Sequence, residues 1–126
     1  MAGKITLEKI ADITYKENKI LLVEMAKMSN INVDEAKKLI KGIEQLVGSE
    51  VHCNLIDIRN MTFMSGEARK LFGGQDKRTV KAVGIVMNKS FQKALVNLYQ
   101  KLSRPVLPTK IFDDLTEAEN WLLTML

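Results

Sequence analysis

Apolar and polar residues alternate over residues 5–15. Ile5, Leu7, Ala11, Ile13 and Tyr15 fall on one face, and Thr6, Glu8, Asp12 and Thr14 on the other. That is the period of a half-buried strand. Lys9 interrupts the apolar face, as suits a strand at a sheet edge. After the turn-like Lys16-Glu17-Asn18, the run Ile20-Leu21-Leu22-Val23 is apolar at every position, which is what a strand covered on both faces requires.

The period then lengthens. Val33, Ala36, Leu39, Ile40, Ile43, Leu46 and Val47 follow helical spacing. Asn32 and Glu35 stand three apart at its start like a variant capping box, and Gly48 is placed to stop it. A strand over residues 51–58 comes next. A second helix is expected to start near Ser65, with Ala68, Leu71 and Phe72 inward and Gly73-Gly74 as its stop. Residues 80–87 read as another buried strand, and Phe91, Ala94, Leu95, Leu98 and Leu102 as a third helix. Pro105 and Pro108 keep their neighbourhood extended, leading to a short strand over residues 110–112. Thr116-Glu117-Ala118-Glu119 reads as a capping box, before a helix with Ala118, Trp121, Leu122 and Met125 on one face.

The order ββαβαβαβα implies one α/β domain over residues 1–126. Its sheet should be mixed, mostly parallel and five-stranded, with four helices and right-handed crossovers. A chain of 126 residues has room for one such core. With 46% hydrophobic and 27% charged residues the composition is that of a globular protein, and no apolar run reaches bilayer-spanning length. The start of the chain lacks the pattern of a secretory signal, and the lone Cys53 fits a reducing compartment, so a cytoplasmic location is expected. The net charge of +4 is dispersed. Lys37, Lys38 and Lys41, beside Asp34 and Glu35, read as a solvated helix face, so no nucleic-acid partner is expected.

The segment Leu55-Ile56-Asp57-Ile58-Arg59-Asn60-Met61-Thr62-Phe63-Met64-Ser65-Gly66-Glu67-Ala68 resembles the central strand, polar turn and phosphoswitch helix of STAS domains, the modules typified by bacterial anti-sigma-factor antagonists. The stretch from Asn88 through Pro105, Pro108, Thr109 and Phe112 to Trp121-Leu122 is more similar to a bacterial STAS/lipid-transfer-like branch. The resemblance implies a regulatory module that binds a protein partner. Its lipid-transfer side implies the alternative of a carrier or sensor for a small apolar ligand. In the antagonists the helix opens on an Asp-Ser-Ser-Gly-like motif whose first serine accepts phosphate. Aligned on Phe63-Met64, Ser65 takes the aspartate's place and Gly66 the acceptor's. Ser65 therefore reads as a helix N-cap, with phosphoacceptor as the competing role.

Catalytic and metal chemistry find little support in the residues. His52 is the only histidine, early in a strand and remote from Ser65, and with Cys53 it lacks companions for a zinc site. Gly73-Gly74 follows a helix instead of opening one, so it is a stop and not a phosphate cradle. No enzyme activity, cofactor or metal is expected. Ligands of open α/β sheets favour the carboxyl ends of parallel strands. Asp57, Arg59, Asn60, Asn88, Ser90 and Asp113-Asp114 fall there, with Met61, Met64 and Ser65 adjoining. These residues are the expected interaction or ligand surface, and loop and capping roles account for the same polar groups. A homodimer through the Lys9-bearing edge is a further expectation.

Overall fold

The computed structural model describes residues 2–73, 78–89 and 107–126. Three strands, β1 (Gly3–Leu7), β2 (Ala11–Tyr15) and β3 (Ile20–Met25), form an antiparallel meander. Beside β3 run β5 (His52–Asp57), β7 (Val80–Val86) and β8 (Thr109–Phe112), each parallel to its neighbour. Together they make one six-stranded sheet in the order β1-β2-β3-β5-β7-β8. A separate two-stranded parallel ribbon joins β4 (Ser29–Ile31) to β6 (Met61–Met64). The helices are α1 (Val33–Val47), α2 (Gly66–Gly73) and α3 (Leu115–Leu123).

The mixed α/β architecture agrees with the sequence reading, but the strand count does not. The expected single strand over residues 5–15 is a hairpin, turned at Glu8-Lys9-Ile10 with Lys9 at φ 66° and the Ile10 N–H bonded to the Leu7 carbonyl at 2.9 Å. The ribbon adds two short strands, β6 within the expected polar turn before Ser65 and β4 in a stretch for which no element was expected. Three helices lie among the described residues. The expected helix through Phe91 and Leu102 falls outside them, as do Ser90 and Pro105.

Both faces of the sheet carry a core. Ile13, Tyr15, Leu21 and Val23 pack with Leu39 and Ile43 of α1 and Ala68 of α2. Ile20, Cys53, Leu55, Ala82 and Val86 pack with Ala118 and Leu122 of α3. The apolar run in β3 feeds both: Leu21 and Val23 point to the first cluster, Ile20 and Leu22 to the second. Alternate residues of a strand project to opposite faces, so only a continuous run can do this. Gly48 closes α1 at φ 56° with its N–H on the Glu44 carbonyl at 2.9 Å, a conformation that favours glycine. At the head of α1, Glu35 Oε1 accepts from the Asn32 N–H at 2.9 Å.

One final-helix expectation needs correction. Asp114, not Thr116, caps α3, accepting from the Glu117 N–H at 3.0 Å, while Glu119 pairs with Lys16 at 2.6 Å. Aspartate wins because it stands one position before the first helical residue, Leu115. Trp121 is half-buried and packs against the second cluster, its ring 5.8 Å from that of Phe112 with Lys110 Nζ over both rings.

At the amino ends of the parallel strands, the Tyr15 hydroxyl donates to Glu50 Oε1 at 2.9 Å and Lys19 Nζ to Glu50 Oε2 at 3.0 Å. This ties the β2–β3 turn to the α1–β5 loop. Burial, then the hydrogen bond and charge of Glu50, push the Tyr15 phenol from 10.0 up to about 12. A raised phenol favours the folded state fully below pH 10 and loses that contribution as pH rises through about 12. Unfolding titrations at pH 8 and pH 11.5 should therefore show an alkaline loss in the wild type that is smaller in Tyr15→Phe.

Candidate functional site

The carboxyl ends of the parallel strands gather polar groups around one turn. β5 ends at Asp57, which is 7% exposed. Its carboxylate accepts from the Arg59 backbone N–H at 3.1 Å, from Nε at 3.0 Å and from Nη2 at 2.8 Å. The side-chain fork is the geometry in which arginine meets a carboxylate most strongly. These hydrogen bonds, outweighing partial burial, raise the guanidinium's pKa above its ordinary value. Asn88 Nδ2 donates to the Arg59 carbonyl at 3.4 Å, and Lys89 pairs with Asp113 at 3.4 Å. Asp57, Arg59 and Asn88 thus meet, as expected. The ion pair, however, satisfies the carboxylate internally.

The turn hands the chain to the ribbon. The Met61 N–H bonds to the Ile58 carbonyl at 3.1 Å, and the Met28 N–H to the Asn60 carbonyl at 2.9 Å. Met61 and Met64 are half-buried and pack against the α1/α2 core. The large apolar side chains most exposed in this region are Met28, at 74%, and Phe63, at 51%. Sequence reasoning missed both because the ribbon's register shifts between Ser29 and Asn30. A bulge of that kind breaks the period-2 signal.

Ser65 stands between β6 and α2. Its backbone N–H bonds to the Ile31 carbonyl at 2.9 Å, and its Oγ accepts from the Ala68 N–H at 3.1 Å, the geometry of an N-cap. Among the described residues, no hydrogen bond or ion pair joins Ser65 to the Asp57–Arg59–Asn88 group. Gly66 opens the helix, and a Cβ there would meet only Arg69 Nη2, at 3.9 Å. Gly66→Ser should accordingly fold with a stability within about 0.5 kcal/mol of the wild type. Denaturant unfolding checks this, and a larger loss would mean that the helix head is tighter than it looks.

His52 and Cys53 occupy opposite faces of β5. His52 Nδ1 lies 2.9 Å from the Glu50 carbonyl, which can only accept, so Nδ1 carries the proton. The ring stands edge-on to Tyr15 at 6.1 Å. About 16 Å of strand separates it from Asp57 at the other end of β5. Cys53 is buried with Sγ 3.6 Å from the Leu122 carbonyl, and burial raises its thiol's pKa. No group of three or more His, Cys, Asp and Glu side chains able to hold a metal ion occurs among the described residues. A cleft of about 580 Å³ lies at this same end, lined by Ile40, Ile43, Val47, Leu71 and Val80 with Glu44, His52 and Thr79. No helix of the described residues is long and apolar enough to cross a membrane.

Solved structures place this architecture in a known class. A protein of the DUF3478 family with a SpoIIAA-like fold from Shewanella loihica superposes with TM-score 0.60 at 18% identity, covering 97% of this chain and 92% of its own. An anti-sigma factor antagonist from Mycobacterium paratuberculosis superposes with TM-score 0.56 at 14% identity, with the same coverage of each chain. The fold is therefore STAS-like, of the SpoIIAA type. By sequence, the chain belongs to a domain family of unknown function, DUF7793, whose profile matches residues 14–126. No curated protein matches it.

Proposed function

We propose that the chain is a non-catalytic regulatory module that binds a partner protein through the β4–β6 ribbon and the head of α2. The observation that carries this reading is the exposure of Met28, just ahead of β4, and of Phe63, in β6, at a ribbon separate from the main sheet. Exposed large apolar groups at one place mark contact surfaces, whereas scattered ones do not. The anti-sigma factor antagonist that shares the fold supports a protein partner by analogy. In this reading Ser65 holds the helix start and Gly66 replaces the antagonists' acceptor, so binding runs without a phosphoswitch at Ser65. Asp57, Arg59, Asn60 and Asn88 shape the surface by fixing the turn that presents the ribbon.

The small-ligand alternative has the 580 Å³ cleft in its favour, within the usual range of ligand pockets. The cleft opens at the opposite end of the strands from the ribbon. A photo-crosslinking amino acid placed at residue 63 and, as a control, at the exposed residue 51 separates the readings in native cells. The protein-partner reading expects one discrete protein adduct from position 63 and none from position 51. Absence of adduct at 63, or equal adducts from both positions, would remove it.

A further inference from the structure

His52 carries a polar atom that no described residue engages. It is the single histidine of the chain and is only 1% exposed. Its Nδ1 donates to the Glu50 carbonyl at 2.9 Å, which leaves Nε2 as a lone-pair acceptor. Nε2 is buried without a hydrogen-bond partner among the described residues. Buried polar atoms of folded proteins are nearly always satisfied, so an exception needs an explanation. Turning the ring is no remedy, because bringing Nε2 to the Glu50 carbonyl would only exchange one orphaned nitrogen for the other. The ring is also held edge-on to Tyr15 at 6.1 Å, and Tyr15 is itself tied to Glu50.

His52 forms part of the wall of the cleft of about 580 Å³ between α1, α2 and the amino ends of β5 and β7. The wall beside it is apolar: Ile43 and Val47 of α1 and Val80 of β7 are all buried. Ile40, half-buried, and Leu71, 37% exposed, stand nearer the opening. A space of this volume is far larger than a single water needs and is in the range that encloses a small organic molecule. A fixed acceptor in an apolar wall sets the chemistry of an occupant. The body must be apolar, and the group that meets Nε2 must bring an O–H or N–H. An ionised carboxylate would present only lone pairs to a lone pair.

We propose that this cleft binds a small, largely apolar molecule bearing one neutral O–H or N–H group, which donates to His52 Nε2 while the apolar body lies against Ile43, Val47 and Val80. The Glu50 carbonyl and the Tyr15 ring fix the imidazole before the ligand arrives, and such preorganisation lowers the cost of binding. The site lies at the opposite end of β5 from the turn that leads to the ribbon, so it stands whether or not the ribbon docks a protein. Crosslinking at residue 63 can fail with this site intact, and the reverse.

With one histidine in the chain, nitrogen-15 labelling of histidine gives a single pair of ring signals, one protonated and one bare. The test titrates the full chain with a set of neutral apolar phenols, alcohols and indoles, each paired with its O- or N-methylated twin. Members of the set should move the Nε2 signal toward that of a hydrogen-bonded nitrogen and leave Nδ1 in place. Their methylated twins should bind at least tenfold more weakly. Ile40→Trp, which fills the cleft from its opening, should abolish the shift while an unmoved Nδ1 signal reports an intact contact with Glu50. His52→Phe, followed through the ligand signals, should erase the preference for the donor over its twin. Absence of any Nε2 shift across the set would overturn the site, and so would shifts that persist in Ile40→Trp. Twins that bind equally well would overturn the ligand chemistry. An Nε2 signal already hydrogen-bonded in the free protein and unmoved by the set would mean a buried water only and overturn the proposal.

Discussion

Leu122→Ala should cost about 3 kcal/mol of folding stability, the usual scale for emptying a fully buried leucine site. Leu122 is completely buried and anchors α3 to its face of the sheet. Across from it lies Gly84, where a Cβ would stand 3.2 Å from Leu122 Cδ1 and 3.5 Å from Leu55 Cδ1. A glycine has no side chain that could swing into the vacated space, so the cavity should persist and the cost should sit above the minimum for lost transfer energy. Leu122→Met, which nearly conserves volume, should cost less than about 1.5 kcal/mol. Equilibrium denaturant unfolding of the two variants measures both numbers. A loss under about 1 kcal/mol for the alanine variant would mean that α3 does not pack as described. Because α3 and α2 cover opposite faces of the sheet, partner capture at the ribbon should survive this truncation at temperatures where the variant is folded.

Asp57→Ala should behave differently, costing about 2 kcal/mol and also weakening partner capture. The carboxylate is nearly buried and accepts hydrogen bonds from the backbone N–H, Nε and Nη2 of Arg59. Hydrogen bonds to charged groups contribute about 1.5–3 kcal/mol, and the partial exposure of Arg59, 37% at its side chain, argues for the lower half of that range. The bonds bend residues 57–59 into the turn from which Asn60 offers its carbonyl to Met28. Losing them frees the approach to β6, so the apolar pair loses its fixed presentation. Asp57→Asn keeps one acceptor oxygen and should fall between the wild type and the alanine variant. The comparison requires unfolding curves together with crosslinking yield from residue 63. An Asp57→Ala variant that loses stability but keeps full crosslinking would confine the ion pair to a folding role.

What could be read in the sequence follows from how each element announces itself. The helix over Val33–Val47 and its Gly48 stop were legible because its apolar stripe is long and glycine marks its end. The two-faced burial of β3 was legible in four consecutive apolar residues. The break between β1 and β2 was not, for a reason of parity. Register pairs Leu7 with Ala11 and Ile5 with Ile13, and a connection of three residues keeps odd positions on one face. Alternation alone therefore cannot distinguish this hairpin from one long strand, and the left-handed residue at the turn is a lysine, not glycine or asparagine. The ribbon escaped notice because its strands are short and its register is bulged.

The site was partly legible for similar reasons. Asp57, Arg59 and Asn88 were placed together by the rule that strand carboxyl ends converge, and Ser65 by its position ahead of an apolar-periodic segment. Met28 and Phe63 had no comparable signal. Nothing in the local sequence distinguishes a solvent-facing methionine in a left-handed turn from a core one, and Met61 and Met64, equally apolar, turned inward.

In the proposed function the ribbon binds its partner and Ser65 serves only as the cap of α2. Crosslinking yield from residue 63 in native cells, compared between wild type, Ser65→Ala and Ser65→Asp, tests it most directly. Loss of the cap in Ser65→Ala should cost about 1 kcal/mol of stability, and Ser65→Asp should be nearly neutral, since aspartate caps as well and its charge suits a helix N-terminus. The same partner adduct is expected at comparable yield in all three proteins. Loss of the adduct in Ser65→Asp with full retention in Ser65→Ala would contradict it and establish Ser65 as a charge-sensitive switch.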